Sequence, residues 1–113
     1  MKQISTHVLD VHRGKPASGV PVQLERREAP GLWLPLHQGH TDNDGRCPQL
    51  LPADDLPSGA YRLVFDVASY FDSLSIDAFY PVVEVTFKVR EGDSQFHIPL
   101  LLSPNGYTTY RGS

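Results

Sequence analysis

Turn signals divide this chain into short segments, and that punctuation constrains the fold more than any other feature. Clusters occur at Gly14 to Gly19, Pro30-Gly31, Asp42 to Gly45, Pro57 to Gly59, Glu91 to Asp93 and Ser103 to Gly106. Glycine reaches positive φ without a Cβ clash and proline presets its own φ, so each cluster has a physical reason to reverse the chain. Between them the side chains alternate. Val83, Val85, Phe87 and Val89 are interleaved with Glu84, Thr86, Lys88 and Arg90. Tyr61, Leu63, Phe65 and Val67 are interleaved with Ala60, Arg62, Val64 and Asp66. A period of two places each set on one face of a strand. Many short strands with one apolar face bury it by stacking sheets or closing a barrel, so the chain reads as all-β.

Further strands are expected from Ile4 to His12, Val20 to Glu28 and Leu32 to Thr41, with a short piece from Gly45 to Pro48. Phe96, Ile98, Leu100 and Leu102 share a face of a late strand. The final segment, Gly106-Tyr-Thr-Thr-Tyr-Arg-Gly-Ser113, keeps its aromatic residues and threonines close to the last position. Loose tails are usually small and polar, so this one reads as ordered strand to the end. The exception to strand patterning is Ala68 to Ser75. There Ala68, Phe71 and Leu74 fall three residues apart, which predicts one short helix with Ser69 as a cap.

At 113 residues the natural reading is one domain over 1–113, with a core small enough to gain from oligomerisation. A net charge of −3 supplies no basic stripe for nucleic acid or an acidic membrane. No apolar run reaches spanning length, and no apolar leader follows Met1. The single Cys47 cannot close an intrachain disulfide, which favours a reducing, cytoplasmic setting. Paired-cysteine metal spacings, phosphate loops and nucleophile elbows are absent from the sequence.

Candidate chemistry rests on histidines. His37 and His40 fall on opposite faces of a strand, and they and His12 read as solvated surface. His7 shares its face with Leu9 and Val11, which predicts a partly buried, hydrogen-bonded ring. His97 lies opposite Phe96, Ile98 and Leu100, yet its own face carries Pro99 and Leu101. An outer face that is half apolar marks either a subunit contact or a shallow cleft. The plainer reading of His97 is an interface histidine bonded to a neighbour. Arg46 and Arg111 read either as solvated turn and tail residues or as clamps for an anion or carbonyl. Tyr110 reads as an edge aromatic. Ser113 is a poor nucleophile, because a terminal carboxylate beside it opposes alkoxide formation.

Several blocks together resemble one family, the transthyretin-related 5-hydroxyisourate hydrolases of urate degradation. They are Ser5-Thr-His-Val-Leu-Asp10, Gly14-Lys-Pro-Ala17, Thr41-Asp-Asn-Asp-Gly-Arg46, Phe79-Tyr-Pro81, and His97-Ile-Pro-Leu-Leu-Leu-Ser-Pro104 through Tyr110-Arg-Gly-Ser113. The resemblance implies a prealbumin-like sandwich of two four-stranded sheets with one short helix. It also implies a homotetramer, a dimer of dimers, with clefts at the dimer–dimer interface that would enclose the tail. It assigns catalysis to His7, Arg46, His97 and Ser113, and substrate contacts to His7, Arg46, Tyr110, Arg111 and Gly112. The implied reaction opens 5-hydroxyisourate to 2-oxo-4-hydroxy-4-carboxy-5-ureidoimidazoline without metal or cofactor. Ring-amide hydrolysis needs a base, a clamp for the oxyanion and a proton for the leaving nitrogen, and imidazole and guanidinium suit these tasks. The sequence leaves open which histidine takes the first proton. Three rivals remain: a small-molecule binding protein of the transthyretin kind, a structural β-sandwich module, and a metal site shared by His7 and His97 across subunits. The first lacks a use for the histidines and tail, and the last lacks carboxylate or thiolate partners.

Overall fold

Alternation along the strands sets the architecture. A computed structural model describes residues 2–53 and 56–112. In chain order the elements are β1 (Lys2–Asp10), β2 (Lys15–Pro16), β3 (Pro21–Ala29), β4 (Leu32–His40), β5 (Arg46–Ala53) and β6 (Gly59–Asp66). They continue with α1 (Val67–Asp72), β7 (Val82–Val89), β8 (Gln95–Ser103) and β9 (Gly106–Thr109). One sheet runs β4-β3-β6-β7. In the other, β8 separates β1 from β9, while β5 and β2 share the far edge of β1. The two-residue β2 is the one addition to the eight expected strands. The piece expected from Gly45 to Pro48 is the start of the longer β5.

Ile4 and Val8 of β1 join Phe96, Ile98, Leu100 and Leu102 of β8 in a core with Val22, Leu24, Tyr61, Leu63 and Phe65 from the other sheet. Burying one such side chain contributes roughly 1.5–3 kcal/mol, which commits each strand to one face. The residues between them on β1 and β8 therefore turn outward, and the site is built there.

The helix begins one residue earlier than its apolar spacing indicates. Asp66, not Ser69, is the N-cap: its carboxylate accepts the Ser69 N–H at 3.0 Å. The helix ends at Asp72, and turns carry the chain to Ser75, where φ is 58°. The buried Tyr70 anchors α1 to β1 by donating its hydroxyl to Asp10 Oδ2 at 2.7 Å. Asp10 Oδ1 accepts the Arg13 N–H at 3.0 Å.

The last strand also differs from expectation, and Pro99 is the reason. Strand β9 stops at Thr109, yet Gly112 bridges His97 in the register that pairs Leu101 with Thr108. His97 turns its carbonyl toward the tail, accepting the Gly112 N–H at 2.8 Å. Pro99, two residues on, turns the same way and has no N–H to give. Its carbonyl instead accepts the Thr109 hydroxyl at 2.7 Å. The ladder lapses at Tyr110 and Arg111 and resumes once at Gly112. Among the described residues no helix is long and apolar enough to cross a membrane.

Candidate active site

Three neighbouring strands and one turn bring the site together. In the parallel pairing of β1 with β8, Ser5 lies opposite His97. In the antiparallel pairing of β1 with β5, His7 lies opposite Arg46. Strands are spaced by about 4.8 Å, so residues distant in sequence become lateral neighbours on the outward face.

The Asp42 to Gly45 turn aims both His7 and Arg46. The Asp42 carboxylate accepts the N–H groups of Asp44 and Arg46, each at 2.9 Å. Gly45 has φ of 75°, and a Cβ there would strike the Val8 carbonyl. Only glycine lets the turn lie against β1, where the Val8 N–H donates to the Gly45 carbonyl at 2.7 Å. That contact sets the neighbouring Asp44 carbonyl 2.9 Å from His7 Nε2. A carbonyl can only accept, so Nε2 carries the hydrogen, and in the neutral ring Nδ1 is the bare, basic nitrogen. His7 is half-buried, as expected, but Val11 sits exposed in the following turn and builds no apolar face with it.

His97 is held differently. Its Nδ1 lies 2.8 Å from the Ser5 hydroxyl. Gly112 covers the other side of the ring so closely that a Cβ would stand 2.6 Å from His97 Cδ2 and 3.3 Å from Pro99 Cγ. Burial lowers the pKa of His97 below the ordinary imidazole value, and the charges of His7 and Arg46 push the same way. The ring is therefore neutral at pH 7 and can accept a proton.

Gln3, Ser5, Arg46, Gln95 and His97 line a cleft of about 300 Å³. A second opening of about 480 Å³ lies where the sheets part between β7 and β8. Phe87, Phe96, Tyr110 and Arg111 line it, and His97 borders both spaces. The smaller cleft joins Arg46 to His97; the larger joins His97 to aromatic rings and to the cations Lys88, Arg90 and Arg111. Arg111 stacks over Phe96 at 5.4 Å and reaches the Gln95 carbonyl at 3.3 Å and Asp93 at 3.5 Å. Tyr110 is exposed. Of the residues singled out in the sequence, His7, Arg46, His97 and Gly112 form one cluster, with Tyr110 and Arg111 beside it. Ser113 lies outside the described residues. His12, His37 and His40 are exposed, as expected. Sequence reasoning missed the parts played by Ser5 and the Asp44 carbonyl. Both sit inside blocks that carried the resemblance, so their signal was present without a role attached. Among the described residues no group of three or more His, Cys, Asp or Glu side chains could hold a metal ion.

A two-sheet sandwich with an open outer face bearing two imidazoles and a guanidinium defines a transthyretin-like protein equipped for proton transfer. The chain belongs to the HIUase/Transthyretin family, whose model matches residues 4–112. It is 47% identical to 5-hydroxyisourate hydrolase of Mus musculus over 97% of this chain and 94% of that one. It is 46% identical to 5-hydroxyisourate hydrolase of Salmonella dublin, over 97% of this chain and 80% of that one. Among solved structures, Klebsiella pneumoniae 5-hydroxyisourate hydrolase superposes with a TM-score of 0.88 at 34% identity, covering 100% of both chains. Sea bream transthyretin in complex with thyroxine gives 0.91 at 32% identity, over 97% of this chain and 94% of that one.

Proposed function

We propose that this protein, as a single domain over 1–113, hydrolyses 5-hydroxyisourate to 2-oxo-4-hydroxy-4-carboxy-5-ureidoimidazoline, a step in urate degradation. The observation that carries the reading is the juxtaposition of a neutral His97 with His7 and Arg46 on one face. The named hydrolase relatives support the choice of substrate. An imidazole takes a proton from water as its oxygen attacks a ring-amide carbonyl. Arg46, which stays charged, stabilises the oxyanion. The C–N bond then breaks, the nitrogen receives a proton from an imidazolium, and the net change is the addition of one water. Acid–base assistance of this kind contributes about 10²- to 10⁴-fold. Tyr110 stacks on the flat ring, Arg111 walls the cleft, and Gly112 seats His97. Ser113 orients water or a histidine through its hydroxyl. No cofactor enters the scheme.

The same reading includes a homotetramer, a dimer of dimers that closes the cleft to bulk water. It is supported by the outward placement of the site, by the exposed Val82 and by the exposed Phe79, Tyr80 and Tyr107, whose rings stack edge to face. A cytoplasmic location accords with the lone, buried Cys47. The experiment is the ultraviolet decay of freshly generated 5-hydroxyisourate with and without the purified protein, its mass in solution being measured by light scattering. Accelerated decay supports the assignment. A folded tetramer that leaves the decay unchanged overturns it in favour of small-molecule binding without catalysis.

A further inference from the structure

We propose that Ser5 is a positioning residue for His97, and that its hydroxyl stays bonded to Nδ1 in both neutral tautomers and in the imidazolium formed during turnover. The inference rests on the hydrolytic reading above and adds a residue and a division of labour to it. Ser5 lies between the buried Ile4 and Thr6, so its side chain stands on the outward face beside His97. The 2.8 Å contact to Nδ1 and the cover of Gly112 across Cδ2 hold the ring on two sides. Nε2 has no protein partner among the described residues and is the nitrogen left for substrate or water.

The partner of each ring decides what that ring can do. A hydroxyl both donates and accepts, whereas a carbonyl only accepts. His7 faces the Asp44 carbonyl and is held in one neutral tautomer. His97 faces Ser5 and is held in neither. When Ser5 accepts from Nδ1–H, Nε2 is bare and takes a proton. When Ser5 donates to Nδ1, Nε2–H is a hydrogen-bond donor to substrate or water. The imidazolium formed at Nε2 keeps its Nδ1–H on Ser5, and passing the Nε2 proton to the leaving nitrogen restores the starting ring. No group is consumed and no co-reactant is needed. The lowered pKa of His97 keeps the ring neutral near pH 7, where the choice of tautomer matters.

The test uses Ser5→Val and Ser5→Thr, which have nearly the same shape and differ by a hydroxyl. Steady-state kinetics on 5-hydroxyisourate are combined with ¹⁵N chemical shifts of the His97 ring across its titration. Ser5→Val is expected to lower kcat by about 10- to 100-fold, the usual effect of losing a group that orients a reactive side chain, with KM little changed. Its His97 nitrogens should move from averaged shifts toward those of one tautomer. Ser5→Thr should restore both. If Ser5→Val does not fold, Ser5→Ala is compared with Ser5→Thr in the same way. Unchanged kcat and shifts in the hydroxyl-free variant overturn the proposal, and so does an equal loss in Ser5→Thr. A wild-type protein without hydrolase activity removes the functional reading instead, while the nitrogen shifts still decide whether the Ser5 hydroxyl sets the tautomer.

Discussion

Replacing Gly112 with alanine adds one methyl group against the face of His97. The new Cβ would stand 2.6 Å from His97 Cδ2, whereas ordinary contact begins at 3.4 Å, so about 0.8 Å must be recovered. It would also meet His97 Cγ and Pro99 Cγ, each at 3.3 Å, so the ring cannot escape by tilting toward Pro99. Two responses remain. The ring slides and gives up its 2.8 Å contact with Ser5, or the tail lifts and breaks the 2.8 Å bond from the Gly112 N–H to the His97 carbonyl. The first moves the reacting nitrogen by nearly 1 Å, and misplacement on that scale costs about 100-fold in rate; the second strips the cover from one side of the ring and frees it to misplace. Stability should change little, because the lost bond contributes about 1 kcal/mol. The assay is kcat for 5-hydroxyisourate in Gly112→Ala beside Gly92→Ala, where a Cβ meets nothing within 4 Å. Wild-type kcat in Gly112→Ala would refute the argument that the tail seats the imidazole.

His97→Ala should lower kcat by about 10²- to 10⁴-fold while the oligomer, measured by light scattering, persists; a fully active variant removes His97 from the chemistry. The acid limb of kcat/KM should fall below the ordinary imidazole pKa, since burial holds His97 down and His7 and Arg46 add to it. The neutral ring is the active form, so activity is lost as pH falls through that lowered value. Arg46→Met should move the limb to higher pH even though the rate drops; a limb that stays put means Arg46 does not act on His97. Tyr70→Phe removes the hydroxyl that satisfies buried Asp10 Oδ2 and should cost about 1–3 kcal/mol in a urea titration, with kcat retained.

The all-β architecture was legible because burial on a strand has a period of two, and a single turn residue of the right kind ends it. Tyr61, Leu63 and Phe65 could face only one way. Local rules were weaker where two candidates competed. Ser69 and Asp66 can both cap a helix, and the choice went to the residue whose carboxylate reached the free N–H. Pro99 was visible in the sequence, but its effect on β9 was not. That effect depends on which side of β8 its missing N–H faces, and pairing alone determines this.

The sequence by itself determined the strands, their apolar faces, the turn glycines and, through its resemblance to a family, the cluster of His7, Arg46, His97 and Gly112. Only the tertiary structure decided what each imidazole touches. His7 meets a carbonyl because Gly45 lies against Val8, and His97 meets a hydroxyl because β1 and β8 pair in parallel with Ser5 opposite it. Those partners are separated by 37 and 92 residues in the chain. A tautomer is set by the atom within hydrogen-bond reach, and strand register, a property of the whole sheet, puts that atom there.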